Sequence, residues 1–232
     1  MSTNSSKVEE MFKAGVHFGY SKSRRHPTTA PFIFSTKNGV DIIDIEKTQE
    51  QINSVTEYVK DLAQSGKTIM FVGTKAEAKQ SIAENALSLG MPYVTERWIG
   101  GTLTNLPEIK KRITKLLDLR EQKEKGGLDK YTKKEKLMIE REMADMTKNF
   151  QGITTITKIP DVMFVIDPKK EFIAVTEAQK MNMPVVALLN TDCNLKKVTH
   201  PIVGNDGSMT SIAYILEQIS NAYKSGLDGE KA

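Results

Sequence analysis

Short apolar runs alternate along the chain with longer segments that repeat their apolar residues every three or four positions. The runs Thr68–Val72, Val162–Ile166 and Val185–Leu189 are typical of strands buried on both faces of a parallel sheet. Further strands are predicted at Val40–Ile45 and Met91–Val94, and helices at Val8–Ala14, Thr48–Gln64, Ala76–Leu89, Glu171–Lys180 and Thr210–Tyr223. This order predicts an α/β fold, a parallel sheet with helices on both faces.

Between Asn105 and Phe150 the alternation stops, and the segment has no strand-like run and many charges. Its apolar positions form two helical seams, Leu106, Ile109, Ile113 and Leu116 in the first half and Ile139, Met143, Met146 and Phe150 in the second. Gly126-Gly127 separates the halves, so we predict an inserted antiparallel coiled-coil hairpin. The predicted domains are a discontinuous α/β domain at 1–103 and 151–226, the hairpin at 104–150, and a flexible tail at 227–232.

A basic segment runs from Tyr20 to Lys37, with four Lys or Arg, one His, two Pro and no acidic residue. Its prolines argue against a helix, so we predict an ordered loop. The candidate RNA contacts of this segment are Lys22, Arg24, Arg25, His26 and Lys37. Uncompensated basic side chains on an anchored loop suit phosphates, because each neutralised phosphate releases a counterion. The alternative is an exposed loop without a ligand.

A second candidate is the run from Arg97 to Thr102, where an arginine and the only tryptophan adjoin two glycines. The glycines allow another backbone to approach closely. Arg97 and Trp98 are therefore secondary candidates for RNA contacts. A Trp98 that is buried on a turn is the alternative.

The overall composition is that of an ordinary soluble globular protein, with 39% hydrophobic and 27% charged residues and a net charge of +4. The mild basic excess is consistent with a polyanionic partner but does not decide the fold. Cys193 is the single cysteine, which excludes an intrachain disulfide, and neither a metal nor another cofactor is predicted. Without a secretory segment or a bilayer-length apolar run, we expect a cytoplasmic protein with no membrane partner, and the first seven residues are expected to be disordered.

Enzyme-like motifs are incomplete. The P-loop-like tail Ser65–Thr68 has Asp61 where the motif needs glycine, and it enters a strand instead of opening a helix. Gly73-Thr74-Lys75 follows a strand, where backbone N–H groups can hold a phosphate, and the alternative is a tight turn with Lys75 on the surface. Three carboxylates come after strands and suit either acid–base chemistry, a magnesium ion, or the capping of helices and turns: Asp167, Asp192 and Asp206.

Seven motifs, in order along the chain, are similar to those of one ribosomal protein family. They are Ala14–Gly19, Asn38–Asp44, Phe71–Lys75, Arg97–Asn105, Thr132–Glu135, Pro160–Asp167 and Gly204–Asp206. Each motif alone is weak, but the ordered set resembles the family of the second protein of the small ribosomal subunit, "S-two", from about Met11 to Tyr223. The chain departs from that family at Tyr20, where His is common, and at Thr28 and Ala30, where Lys is usual.

The resemblance implies a flavodoxin/Rossmann-like parallel α/β domain with an inserted coiled-coil hairpin, and it implies a structural protein and not an enzyme. Such proteins dock between the head and body of the small subunit, bind small-subunit rRNA, and help to recruit "S-one", the multi-OB-fold protein that captures mRNA. We therefore expect rRNA and neighbouring ribosomal proteins as partners, the cytoplasmic ribosome as the location, and no homo-oligomer. Two rivals stay open: a sugar-phosphate isomerase-like enzyme that uses Gly73-Thr74-Lys75 and Asp192, and a free regulatory RNA-binding module.

Overall fold

The computed structural model describes residues 3–128 and 131–228. Its strands are β1 (Phe18–Ser21), β2 (Ile33–Lys37), β3 (Val40–Ile43), β4 (Ile69–Val72), β5 (Tyr93–Val94), β6 (Val162–Ile166), β7 (Val185–Leu189) and β8 (His200–Val203). Its helices are α1 (Thr3–Lys13), α2 (Ile45–Gln64), α3 (Ala76–Leu89), α4 (Leu106–Glu124), α5 (Lys133–Phe150), α6 (Phe172–Lys180) and α7 (Met209–Asp228).

Within the described residues, five strands form a parallel sheet in the order β5-β4-β6-β7-β8. Every residue of β4, β6 and β7 is buried, as their uninterrupted apolar sequences predict. The predicted parallel α/β fold is thereby confirmed. Because the strands run in one direction, the loops that follow them meet at one edge of the sheet, which we call the carboxyl edge.

Helices cover both faces of the sheet. Successive side chains of a strand point to opposite sides, so a strand whose residues are all apolar has an apolar surface on each face that must be buried. On one face Phe71 and Phe164 pack with the apolar stripes of α2, α3 and α7. On the other face Val72 and Val165 pack with residues of α6, such as Val175, and with the base of α4 and α5. The chain therefore builds one hydrophobic layer on each side of the sheet.

Helices α4 and α5 are anchored in this second layer at their base. Leu106, Ile109 and Phe150 belong to the same buried cluster as the sheet residue Val165. Ion pairs join parts of the two helices further from this base: Lys115–Glu142 and Lys123–Glu140. The apolar seams therefore pack against the sheet as well as against each other.

We propose that the outer part of α4 and α5 is separable from the α/β domain. Replacing residues 118–140 by a short Gly-Ser linker is expected to change the free energy of unfolding by less than about 2 kcal/mol, because the buried base remains. Deleting residues 106–149 removes Leu106, Ile109 and Ile113 from the core and is expected to cost more than about 5 kcal/mol. Urea unfolding measures both losses, and equal losses would contradict the proposal.

The N-terminal part of the chain forms a small antiparallel sheet in the order β1-β3-β2. The basic segment therefore ends in a strand, after two 3-10 turns. Disorder of the first seven residues is wrong for residues 3–7, because α1 begins at Thr3. Helix α7 extends to Asp228, so the first two residues of the predicted tail are helical. The predictions for residues 1–2 and 229–232 lie outside the described residues.

Candidate nucleic-acid interface

The basic segment is fastened to the carboxyl edge through the loop that follows β7. The backbone N–H of His26 donates to the carbonyl of Thr191 at 2.8 Å, and the hydroxyl of Thr29 donates to the same carbonyl at 2.8 Å. The backbone N–H of Tyr20 donates to Thr191 Oγ1 at 3.0 Å. The segment therefore has a fixed position over the ends of the strands.

Beneath this segment, Lys75 lies in a buried ion-pair network. Its Nζ is 2.7 Å from Asp167 and 2.8 Å from Asp206, and it also donates to the Tyr20 hydroxyl at 3.4 Å. Burial alone would lower the pKa of Lys75, but the charges and hydrogen bonds of the two carboxylates raise it above its usual value. The alternative of a surface Lys75 is therefore wrong, since only 12% of its side chain is exposed.

The Gly73-Thr74-Lys75 turn is closed to a phosphate. The three N–H bonds of the ammonium of Lys75 already face three oxygen acceptors. Thr74 donates its backbone N–H and its hydroxyl to Glu171, at 2.9 and 2.5 Å. A Cβ on Gly73 would lie 2.5 Å from Ile82 Cδ1, so glycine here lets Ile82 of α3 pack closely over the end of β4. This geometry removes the site that the isomerase-like rival requires.

Arg25 is paired with a buried carboxylate and is not an uncompensated charge. Its Nε donates to Asp41 at 2.7 Å, its Nη2 donates to the other oxygen of Asp41, and Thr36 supports both side chains. The hydrogen bonds from Arg25 lower the pKa of Asp41 although burial opposes this shift. The expectation that the whole basic segment is uncompensated is therefore wrong at Arg25, whose partner lies just beyond the segment on β3.

Asp192 holds two cations that stay accessible to solvent. Arg24 Nη2 lies 3.3 Å and Lys169 Nζ lies 2.8 Å from the same oxygen of Asp192. The Asp192 side chain is 4% exposed, whereas those of Arg24 and Lys169 are 55% and 56% exposed. The Arg24 guanidinium also lies over the ring of Tyr20, 4.3 Å from its centroid. Asp192 therefore positions basic groups at the surface, and a role as catalytic acid is not needed to explain it.

The other predicted contacts differ in exposure. Lys22, Lys37 and Arg97 are exposed, and His26 is partly buried. The Nδ1 atom of His26 accepts a hydrogen bond from the backbone N–H of Thr28 at 3.3 Å, which caps the following turn. His26 lies beside Thr191, and Arg24 lies beside Asp192. The backbone N–H of Lys22 donates to the carbonyl of Gly39, in the turn that follows Lys37 at the end of β2.

Trp98 is buried, which is the alternative that the sequence left open. It is 6% exposed, and its Nε1 donates to Glu177 at 3.2 Å. The same carboxylate accepts from the backbone N–H groups of Gly101 at 2.7 Å and Leu103 at 3.1 Å. Burial would raise the pKa of Glu177, but these hydrogen bonds lower it. Glu177 thus holds the whole loop in place, and the ring of Trp98 is part of the core.

Four lysines outside the predicted set of contacts are exposed on the loops after β6 and β7 or in the turn beyond: Lys169, Lys170, Lys196 and Lys197. Their position could have been predicted from the sequence, because each pair comes soon after an apolar run that is typical of a buried strand. In a parallel sheet such positions converge on the carboxyl edge. The exposed charge at this edge is therefore larger than the basic segment alone supplies.

Two absences hold for residues 3–128 and 131–228. In that part of the chain, His, Cys, Asp and Glu nowhere form a group of three or more that suits a metal ion. Within the same residues, none of the helices has the length and apolar character needed to cross a membrane.

The fold and this edge define a parallel α/β protein that presents basic loops where many enzymes of similar architecture bind a small ligand. A family model described as "Ribosomal protein S2" matches residues 11–226. The chain therefore belongs to the ribosomal protein S2 family, as its motifs predicted.

Three curated relatives, each named "Small ribosomal subunit protein uS2", are similar over most of the chain. The one from Dictyoglomus turgidum is 42% identical over 221 residues, which cover 95% of this chain and 90% of the relative. The one from Coprothermobacter proteolyticus is 40% identical, over 97% of this chain and 84% of the relative. The one from Mycolicibacterium gilvum is also 40% identical, over 95% of this chain and 79% of the relative. Family membership makes the chain a small-subunit protein of the cytoplasmic ribosome and not an enzyme.

Proposed function

We propose that the chain is a structural constituent of the small ribosomal subunit that binds small-subunit rRNA through its carboxyl edge. The observation that carries this proposal is the group of exposed basic side chains held over the strand ends by Asp192 and Thr191. Cations in fixed positions suit RNA phosphates, because little side-chain freedom is lost when they bind. In this role the chain supports subunit assembly and translation.

The proposed contacts are Lys22, Arg24, His26, Lys37 and Arg97; the partly exposed Arg25 is left out because the buried carboxylate of Asp41 holds its guanidinium. Arg25 supports the segment through Asp41, and Trp98 supports its loop from the core. The proposed partners are rRNA and neighbouring ribosomal proteins, including the mRNA-capturing "S-one", and a single copy of the chain acts in each subunit. The outer part of α4 and α5, with its paired surface charges, is proposed to reach a second region of rRNA or a protein neighbour.

Replacing Lys22, Arg24 and Lys37 together by Gln is expected to weaken co-sedimentation with small subunits. The same variant is expected to reduce the slope of log affinity against log salt by about 2 to 3 units, because up to three phosphates lose their cation. Filter binding of an rRNA fragment at several salt concentrations measures this slope. An unchanged slope together with unchanged co-sedimentation would reject the proposed interface.

A matched control removes three charges from the opposite edge of the sheet. Lys60, Lys180 and Lys224 are exposed near the C-terminal ends of α2, α6 and α7. These helices run back from the carboxyl edge, and Tyr223 of α7 bonds the carbonyl of Lys67, just before β4 begins. Replacing the three control lysines by Gln gives the same change of net charge and is expected to leave the salt slope and the co-sedimentation unchanged.

A further inference from the structure

A cleft beside the basic segment lies between the loops that follow β6 and β7. Its polar lining consists of five side chains: His26, Lys169, Asp192, Asn194 and Lys197. Phe172, the first residue of α6, also lines the cleft and is 58% exposed. We call this feature the β6–β7 cleft. Of its lining residues, only His26 belongs to the contacts proposed above.

Hydrogen bonds between chain segments far apart in sequence fix the walls of the cleft. The backbone N–H of His26 donates to the carbonyl of Thr191 at 2.8 Å, which joins the basic segment to the loop after β7. A second tie runs between the same two parts of the chain, where the backbone N–H of Leu195 donates to Thr28 Oγ1 at 3.1 Å. The cleft therefore exists before any ligand binds.

The polar groups of the cleft favour an anion. Asp192 contributes one negative charge, against the positive charges of Lys169 and Lys197, and its side chain is only 4% exposed. Asn194 Oδ1 accepts from the backbone N–H of Lys196, which leaves its amide nitrogen as a donor. The cleft thus carries net positive charge and hydrogen-bond donors.

His26 adds a further donor. Its Nδ1 accepts from the backbone N–H of Thr28 at 3.3 Å, so the neutral ring carries its proton on Nε2. An N–H that the turn does not use is therefore available from a residue that lines the β6–β7 cleft.

We propose that the β6–β7 cleft binds one unpaired nucleotide of RNA, with its phosphate on Lys169 and Lys197 and its base on Phe172. This inference rests on the proposed function and names the kind of RNA that one part of the edge recognises. Sites for single strands combine a positive groove with an aromatic side chain on which a base stacks. An exposed phenylalanine beside two lysines supplies both components, and base-paired RNA cannot offer a splayed base.

The phosphate half of the proposal is tested by the salt dependence of binding to an unpaired RNA fragment. Lys169→Gln with Lys197→Gln is expected to reduce the log–log slope by about 1 to 2 units, whereas replacing both by Arg keeps the slope. Gln at Lys60 and Lys180, at the other edge of the sheet, is the control for net charge. A slope that equals that of the unmodified chain would overturn the phosphate site.

The base half is tested by Phe172→Leu, which removes the aromatic face without changing charge. It is expected to weaken binding of unpaired RNA about tenfold at an unchanged salt slope, and to leave binding of a duplex of equal length unaffected. Phe12→Leu is the matched control, because Phe12 is 60% exposed and lies away from the cleft on α1. No loss, or an equal loss for the duplex, would overturn the stacking.

Free phosphates separate this proposal from a small-molecule site. At constant ionic strength, AMP and pyrophosphate at about 1 mM are expected to compete with RNA no better than sulfate, because the cleft gains from several linked contacts along a strand. Saturable micromolar binding of AMP that is lost on Lys169→Gln with Lys197→Gln would overturn the RNA assignment.

Failure of the cleft and failure of the proposed function give different results. If the Lys169 and Lys197 variant binds RNA like the unmodified chain while the Lys22, Arg24 and Lys37 variant loses binding, the cleft proposal is overturned and the proposed function stands. If both variants keep the salt slope and the co-sedimentation of the unmodified chain, both proposals are overturned.

Discussion

Replacing Lys75 by methionine is expected to lower the free energy of unfolding at pH 7 by about 3 to 5 kcal/mol. Methionine retains much of the length of the lysine side chain but removes the cation between Asp167 and Asp206. The side chains of these two residues are 13% and 0% exposed, so water cannot replace the lost partner at Asp206. Removing one member of a buried ion pair leaves an uncompensated charge, which is among the most destabilising of single changes.

The loss on Lys75→Met is expected to shrink as the pH falls. Burial raises the pKa of Asp206, and Lys75 opposes that shift, so the pKa in the folded variant rises further. A carboxyl whose folded pKa exceeds its unfolded value, about 3.9, contributes stability below the unfolded pKa and loses it as the pH rises through the folded pKa. The difference between the variant and the unmodified chain is therefore smallest below about pH 4 and largest near pH 7.

Two further variants control this experiment. Lys79→Met, on α3, removes a partly exposed pair with Glu96 and is expected to cost less than about 1 kcal/mol. Adding Asp206→Asn to Lys75→Met removes the stranded charge and is expected to restore part of the stability. Urea unfolding at pH 7 and pH 4 measures all four proteins. The description of the network is refuted if Lys75→Met costs no more than Lys79→Met.

The strands and helices could be predicted because the pattern of apolar residues along the chain follows directly from which side of each element is buried. Strands β4, β6 and β7 are buried on both faces, so each appears as an uninterrupted apolar run. Helix α2 buries one stripe, so Ile52, Val55, Val59 and Leu62 recur at helical spacing. The basic segment could be found from composition alone, because no acidic residue interrupts it.

Which charged side chains are paired and which stay exposed could not be predicted, because folding brings together partners that lie far apart in the sequence. Asp206 lies 131 residues beyond Lys75, and Glu177 lies 76 residues beyond Gly101. Even Asp41, only 16 residues after Arg25, could not be predicted as its partner, because it lies on β3, outside the segment that looks uncompensated. Which cations remain exposed is therefore a property of the folded loops and not of the local sequence.

Glu177→Gln is expected to lower the free energy of unfolding at pH 7 by about 2 to 3 kcal/mol. The carboxylate accepts hydrogen bonds from Trp98 Nε1 and from the backbone N–H groups of Gly101, Leu103 and Thr104. Glutamine has only one acceptor oxygen, and the two N–H bonds of its amide group would face the N–H groups that the carboxylate now accepts from. Buried N–H groups without a partner each cost about 1 to 3 kcal/mol, with partial relief where the loop can shift.

The stability difference caused by Glu177→Gln is expected to narrow on acidification, as it does for Lys75→Met, but for a different reason. The pKa of Glu177 is lowered in the folded chain, so its stabilisation is complete above the unfolded pKa, about 4.3, and is lost as the pH falls through the folded pKa. Glutamine has no such titration. The stability difference is therefore expected to stay constant from pH 7 to about pH 5 and to narrow below that.

Trp98 supplies a local test of the same change, because it is the only tryptophan and donates directly to Glu177. Its native-state fluorescence is expected to shift in Glu177→Gln, since the indole N–H loses a charged acceptor. Glu84→Gln, on the exposed face of α3, removes the same charge and is expected to change stability by less than about 0.5 kcal/mol and to leave the emission unchanged. Identical emission spectra for the unmodified chain and Glu177→Gln, with equal stabilities, would show that the carboxylate does not hold the loop.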